Sequence, residues 1–277
     1  MVHTPASLAD LILVKLELKK DEIITSYQKS VDNIGYFFVD DLLPVSIANE
    51  IYDKFPTTEQ SVLKKSIREY KYVAYQMNQY DGLMKAITYA FQDSRILDFF
   101  RDNLNIKSLY ADKNLYAGGL SLMKKANFLN PHLDNSHDKD RERWRVFNLL
   151  YYVTPNWSLE NGGHLELWPN GLKQDPLTIE SKFNRLVVMA THHKSWHSVS
   201  KINSSGVRCC VSNYYFSDYS MSEKDRFHVT SFRGRPNRRL MDFILKLDAK
   251  FRMSLRQVFR KGIVKNRHVY DNQKKSD

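Results

Sequence analysis

Cysteine is nearly absent from this 277-residue chain: there are two, Cys209 and Cys210, side by side. Neighbours in a strand point to opposite faces, so a structural disulfide between them is geometrically poor. A disulfide-stapled fold is excluded. Glycine (10) and proline (8) are also few, while 13% of residues are aromatic, which excludes disorder as the main state. No apolar run approaches the ~20 residues that a bilayer helix requires, so no transmembrane segment is expected. The N-terminus has no basic n-region, and its apolar stretch at 8–18 is broken by Asp10, Lys15 and Glu17. No signal peptide is read there, and a reduced, cytoplasmic setting is expected.

Positive charge is plentiful. The 42 Lys and Arg against 31 Asp and Glu give +11, a balance that by itself suggests nucleic acid. Its distribution argues otherwise. Residues 221–277 hold 16 basic and 6 acidic side chains, so nearly all the excess sits there, and the preceding body is close to neutral. No nucleic-acid partner is expected. Across 236–263, Leu240, Ile244, Leu247, Phe251, Leu255 and Phe259 recur at three- and four-residue spacing among Arg and Lys, the pattern of an amphipathic basic helix. The apolar stripe is expected to pack on the body. The other reading is docking to an anionic membrane surface or an acidic partner.

The apolar content, 42%, is enough for a packed core at this length. Helices are expected over about 6–31, 46–55 and 82–104, with a strand at 34–39. From about 115 short alternating runs rich in Val, Leu, Tyr and Trp are separated by turns such as Asn161-Gly162-Gly163 and Ser204-Ser205-Gly206, the texture of a sandwich or jelly roll. The expected fold class is α+β, in three parts. Residues 1–114 form a mainly helical layer, 115–217 a double-stranded β-helix core and 218–277 a basic helical tail.

Pro131-His132-Leu133-Asp134 lies in the β half. Residues i and i+2 of a strand share a face, so His132 and Asp134 offer an imidazole nitrogen and a carboxylate oxygen to one metal ion. His197, 63 residues after Asp134, offers a third ligand. Two His and one carboxylate leave positions open, as in non-haem Fe(II) oxygenases. Arg208 follows across the Ser204-Ser205-Gly206 turn, where a hairpin would return it beside His197. Arginine suits bidentate capture of a carboxylate. His192 and His193 compete for the third position but place Arg208 too far along. His164 is expected to be structural, and the charged segment after the motif, with His137, Asp138 and Asp140, to form either a lid or a solvated turn.

With these residues in view, the chain resembles the Fe(II)- and 2-oxoglutarate-dependent dioxygenases of the prolyl-4-hydroxylase-like group. The resemblance covers about 34–217 and runs through 115–120 (LYAGGL), 128–134 (FLNPHLD), 148–153 (NLLYYV), 162–168 (GGHLELW), 184–188 (NRLVV) and 197–208. It implies Fe(II) held by His132, Asp134 and His197, and 2-oxoglutarate bound to the iron with its distal carboxylate on Arg208. It further implies consumption of O2, release of succinate and CO2, and hydroxylation of a substrate C–H bond, with desaturation or cyclisation as alternatives. Asn148 is implied to face inward, towards 2-oxoglutarate or the metal's surroundings, or else to be satisfied by backbone; Ser121 is a candidate for the cavity wall. A small-molecule or amino-acid-like substrate is expected, with a peptide or glycan as the alternative. The competing reading from another class is a catalytically silent jelly-roll scaffold that works through its basic tail.

Overall fold

The computed structural model describes residues 3–116 and 118–258. Helix α1 (Pro5–Leu18) opens on a capping box. The Thr4 hydroxyl accepts from the Ser7 N–H, the Ser7 hydroxyl accepts from the Thr4 N–H, and proline occupies the first turn, where its missing N–H costs nothing. Leu8, Ala9, Ile12 and Leu16 form its buried row. Helix α2 (Lys20–Ser30) follows, then strand β1 (Tyr36–Val39) and helix α3 (Val45–Asp53). The helical stretch expected at 82–104 is two helices, α4 (Gly82–Ala90) and α5 (Ser94–Asn103). Asp81 caps one by accepting from the Leu83 N–H, and Asp93 the other by accepting from the Arg95 N–H.

Two strands that the sequence reading did not assign, β2 (Val62–Lys65) and β3 (Glu69–Ala74), form a hairpin before α4. The rest are β4 (Tyr110–Ala111), β5 (Gly119–Met123), β6 (Phe128–Leu133), β7 (Trp144–Tyr152), β8 (Leu165–Leu167), β9 (Leu177–Ile179), β10 (Arg185–Ala190), β11 (His197–Val199), β12 (Arg208–Ser217) and β13 (Ser231–Phe232). Among the described residues these thirteen strands make one antiparallel sheet. Its order is β1-β10-β7-β12-β5-β3-β6-β11-β8-β9, with β13 on β6, β2 on β3 and β4 on β12.

Alternation sorts the two faces of this sheet. Leu149, Tyr151, Leu186, Val188, Cys209 and Val211 join the large core shared with the helices. Their neighbours Tyr152, Val187, Met189 and Cys210 turn the other way and pack on Leu165, Leu167 and Ile179 from β8 and β9. The far end of the sheet is thus folded back over its own centre, with a dry interior between. This is a double-stranded β-helix, or jelly roll, with a helical layer outside: an α+β fold.

A buried asparagine ties the layers together. Asn184 has a left-handed φ of 60°, which Asn tolerates better than most residues. Its Oδ1 accepts from the Leu43 N–H (3.1 Å) and the Tyr151 hydroxyl (2.8 Å), and its Nδ2 donates to the Leu43 carbonyl (2.7 Å).

Helix α6 (Arg239–Val258) lies beyond the sheet. The expected packing of its apolar stripe is overturned: Leu240, Leu247 and Phe251 are 74%, 51% and 65% exposed. The row that packs is about a third of a turn away. Leu245, fully buried, reaches Trp157, Ile202 and Phe232 with Met241 beside it. Polar anchors set this rotation. Asp242 accepts from Arg233 (2.6 Å) and from the Gly234 N–H, and Asp248 pairs with Arg68 (3.1 Å). Gly234 lets the segment after β13 approach α6 so closely that a Cβ there would lie 2.5 Å from the Asp242 nitrogen. Phe259 lies outside the described residues.

Two expected outcomes follow from this architecture. Asn184→Ala leaves the Leu43 N–H, the Leu43 carbonyl and the Tyr151 hydroxyl without partners in a dry place, and should cost about 3 kcal/mol, read as a lower midpoint in urea unfolding with an unchanged slope. Burial pushes the thiols of Cys209 and Cys210 up to about 12 and about 11. Neither thiol should therefore react with a disulfide reagent at pH 8 until the protein is unfolded, a difference that thiol titration reads directly.

Candidate active site

Antiparallel pairing of β6 with β11 sets His197 directly opposite His132, and Asp134 follows on the same side of the chain. The ligand atoms of the three lie within 4.8 Å of one another. Each imidazole Nε2 is 3.6 Å from a carboxylate oxygen of Asp134, and the rings are 4.1 Å apart. Phe232, on β13, stacks on His132 at 5.0 Å.

The backbone fixes which ring atoms are free. His132 Nδ1 lies 3.0 Å from the Asn130 carbonyl, and His197 Nδ1 2.9 Å from the Ser195 carbonyl. A carbonyl only accepts, so each Nδ1 holds the hydrogen and each Nε2 presents its lone pair to the shared space. Such an outer hydrogen bond is the usual means of orienting a metal-binding imidazole. Burial, then the neighbouring His197, pushes His132 down to about 3, so it is neutral. Burial opposes the charge of Asp134, but His197, Arg145 and His132 outweigh it and hold the carboxyl at about 2. Two nitrogen lone pairs and one carboxylate, all shielded from water, fit a divalent first-row ion.

Two side chains contact Asp134 from β7. Asn148 donates from Nδ2 to its Oδ2 at 3.4 Å, while the Asn148 Oδ1 has no partner. Arg145 places Nη1 3.6 Å from the same oxygen, and its guanidinium lies 4.2 Å over the Tyr214 ring. Its Nε and Nη2 are buried without hydrogen-bond partners. Arg145 was missed by the sequence reading for a physical reason. Strict alternation puts it on the helix side with Phe147. The register against β12 shifts, however, from Phe147 opposite Tyr215 to Arg145 opposite Phe216. Val146 is the extra residue of this bulge; it joins Phe147 in the helix-side core and turns Arg145 inward. A pocket beside the cluster is lined by Asp134, Ser136, Arg145, Thr191, Asp225 and His228.

Arg208 is placed differently from the expected hairpin. Strand β11 pairs with β6 and β8, and β12 with β5, β7 and β4, so the two never meet as neighbours. The chain instead crosses from one wall of the jelly roll to the other, and Arg208 enters the interior from the facing wall. It is 3% exposed, with its guanidinium 5.3 Å over the Tyr152 ring and its Nε unpartnered. Gly163 makes room for its stem, since a Cβ there would meet Arg208 Cδ at 3.3 Å. Ser121 lies opposite Cys210 and Val73 on that same interior face, half-buried.

The remaining histidines are held elsewhere. His164 Nδ1 accepts from the Ser181 N–H and its Nε2 donates to the Leu159 carbonyl. His192 is bonded to Lys194 and Ile34, and His193 to Asp225. The segment after the motif is anchored at its ends and solvated at its tip: His137 is buried against Phe227 at 4.5 Å and bridges to Trp144, Arg141 covers the same ring, and Lys139, Asp140 and Glu142 are exposed.

Residues 118–216 match the family model of the 2OG-Fe(II) oxygenase superfamily. Among solved structures, the chain is similar to a Trichoplax adhaerens prolyl hydroxylase in complex with a hypoxia-inducible-factor peptide fragment, at 15% identity and TM-score 0.53 over 76% of this chain and 96% of that one. A Pseudomonas putida prolyl-4-hydroxylase gives 14% and 0.52 over 70% and 98%. A prolyl 4-hydroxylase from Phytophthora capsici gives 18% and 0.52 over 93% and 79%. These likenesses concern the fold. Comparison with curated protein sequences finds no match. The match marks residues 118–216 as similar to the 2OG-Fe(II) oxygenase superfamily, a class of enzymes that use Fe(II), 2-oxoglutarate and O2.

Proposed function

We propose that the chain is a hydroxylase of a small, amino-acid-like substrate, with its catalytic core within 115–217, His132, Asp134 and His197 as the iron ligands, and Arg208 as the anchor for 2-oxoglutarate. The observation that carries the reading is the cluster of three donors within 4.8 Å, each imidazole locked by its Nδ1 so that Nε2 is the free atom. When bound, Fe(II) supplies O2 activation coupled to decarboxylation of 2-oxoglutarate to succinate and CO2, and transfer of one oxygen to the substrate.

The chain's own side chains do the positioning. Asn148 steadies one oxygen of Asp134 and keeps its second amide atom, Oδ1, available within the cavity. Arg208, desolvated and stacked on Tyr152, is suited to grip a dicarboxylic acid by its far end. Ser121, on the same face of the neighbouring strand, offers a hydroxyl to that end of the cavity. Substrate would enter the pocket beside Asp134. Arg145 has only Asp134 as a charged partner within reach; once that carboxylate serves a metal, the guanidinium is left to pair with an acidic group of the substrate. Asp225 lies on the same lining, its carboxylate accepting from the His193 and Ser222 N–H groups. Charges of both signs around a narrow pocket suit a zwitterion better than a peptide backbone.

His132→Ala and Asp134→Ala should each abolish succinate formation, measured as conversion of 2-oxoglutarate in the presence of iron and ascorbate. Unchanged turnover, or absence of conversion by the parent chain under the same conditions, would favour the scaffold reading instead. Arg208→Gln should raise the KM for 2-oxoglutarate by roughly tenfold to a hundredfold, about 1.5–3 kcal/mol of lost charge-assisted pairing, with the iron content of the purified protein unchanged.

A further inference from the structure

Helix α6 presents two faces of opposite design. Leu245 and Met241 look inward. Leu240, Phe243, Ile244, Leu247 and Phe251, spaced three and four residues apart, are all exposed and fall on one stripe of the helix. Five large apolar side chains in one row are a different matter from singly scattered ones, which are normal on any surface. Along one flank of the stripe, at a seven- and four-residue spacing, stand Arg239, Lys246 and Lys250, also exposed. The acids of the helix are already paired: Asp242 with Arg233 and with Lys246 of this flank, and Asp248 with Arg68 and Arg252. Among its described residues, no acidic side chain of α6 is exposed.

Exposed apolar side chains also occur on a hairpin tied to the helix. Arg68 ties the β2–β3 hairpin to α6 through Asp248, and that hairpin carries exposed Val62, Leu63 and Ile67 together with exposed Lys65. The charge of the whole C-terminal region points the same way, with 16 basic and 6 acidic residues over 221–277.

We propose that α6 lies in the plane of an anionic phospholipid surface, its Leu240–Phe251 stripe inserted among the acyl chains and its cations on the lipid phosphates. Two observations select this occupant. A second copy of the chain packed on this face would bring the same cations together without an acid to answer them. The combination of an apolar face with a Lys/Arg flank is what interfacial binding requires, and the helix is not long and apolar enough to cross a membrane. The association is independent of the iron chemistry: the stripe faces away from the Leu245 contact that joins the helix to the jelly roll. Its consequence is that substrate would be drawn from, or delivered to, the neighbourhood of a membrane.

Co-sedimentation of the full chain with vesicles tests this. Vesicles containing roughly one-third phosphatidylserine should bind the chain at least about tenfold more tightly than vesicles of phosphatidylcholine alone, and raised salt should weaken the binding. Leu247→Glu with Phe251→Glu should lower the affinity at least about tenfold, with circular dichroism and iron binding unchanged because both positions are exposed. Lys246→Glu with Lys250→Glu should erase the preference for the anionic vesicles. Failure of the parent chain to bind anionic vesicles overturns the proposal. So does equal binding by the Leu247/Phe251 variant, which would mean that charge alone acts. So does a parent dimer in sedimentation velocity that this variant makes monomeric, which would assign the stripe to a second copy.

Discussion

Everything in the site depends on one strand pairing. The register of β6 against β11 sets two imidazoles face to face at 4.1 Å, a distance at which two protonated rings would repel strongly in so dry a place. Burial keeps His132 neutral, and two carbonyls, each two residues before its histidine, take the Nδ1 hydrogens, so that each Nε2 is turned to Asp134. A slip of one residue in this register would send one ring to the opposite face and leave nothing to chelate. The short strands β8 and β13 on either side of the pair restrain that slip.

How much of this was legible in the sequence varied with the distance over which the signal acts. His132 and Asp134 are two apart, and their shared face follows from the geometry of any strand. That Cys209 and Cys210 point to opposite faces followed from the same rule. His197 required knowing which strands pair, and there the resemblance to a family did what spacing could not. The hairpin inferred between His197 and Arg208 does not exist, because a turn signal says that the chain reverses but not which wall it reverses onto. Arg145 was hidden by the bulge at Val146: a period-two reading fails wherever one strand holds an extra residue. For the C-terminal helix the period was right and the direction wrong. Amphipathicity reveals that a helix has a stripe, and the Arg233–Asp242 and Arg68–Asp248 pairs, invisible in a linear pattern, decided which way it faces.

The two interior arginines stand at different places on one wall. Arg208 stands on the wall made by β5, β12 and β7, on the face it shares with Tyr152 and Ser121. Arg145 stands at the end of β7, against Asp134. Each is covered by an aromatic ring, which keeps a desolvated guanidinium flat while leaving its edge for an anion. The two cations are carried by different strands and stacked on different rings.

The place of β12 in the sheet has a further meaning for how the molecule comes into being. This strand is central, flanked by β7 and β5, yet it is the last long strand in the chain. Until residue 217 has left the ribosome, β5 and β7 are two open edges with nothing between them, and the wall that holds Arg208 does not exist. Its partners lie some 60 to 90 residues earlier, so closure must wait for contacts that are distant in sequence, the slow kind. The interval in which unpaired edges are available to other chains is thus written into the order of the strands, and the helical layer made first is what shelters them while the centre is missing.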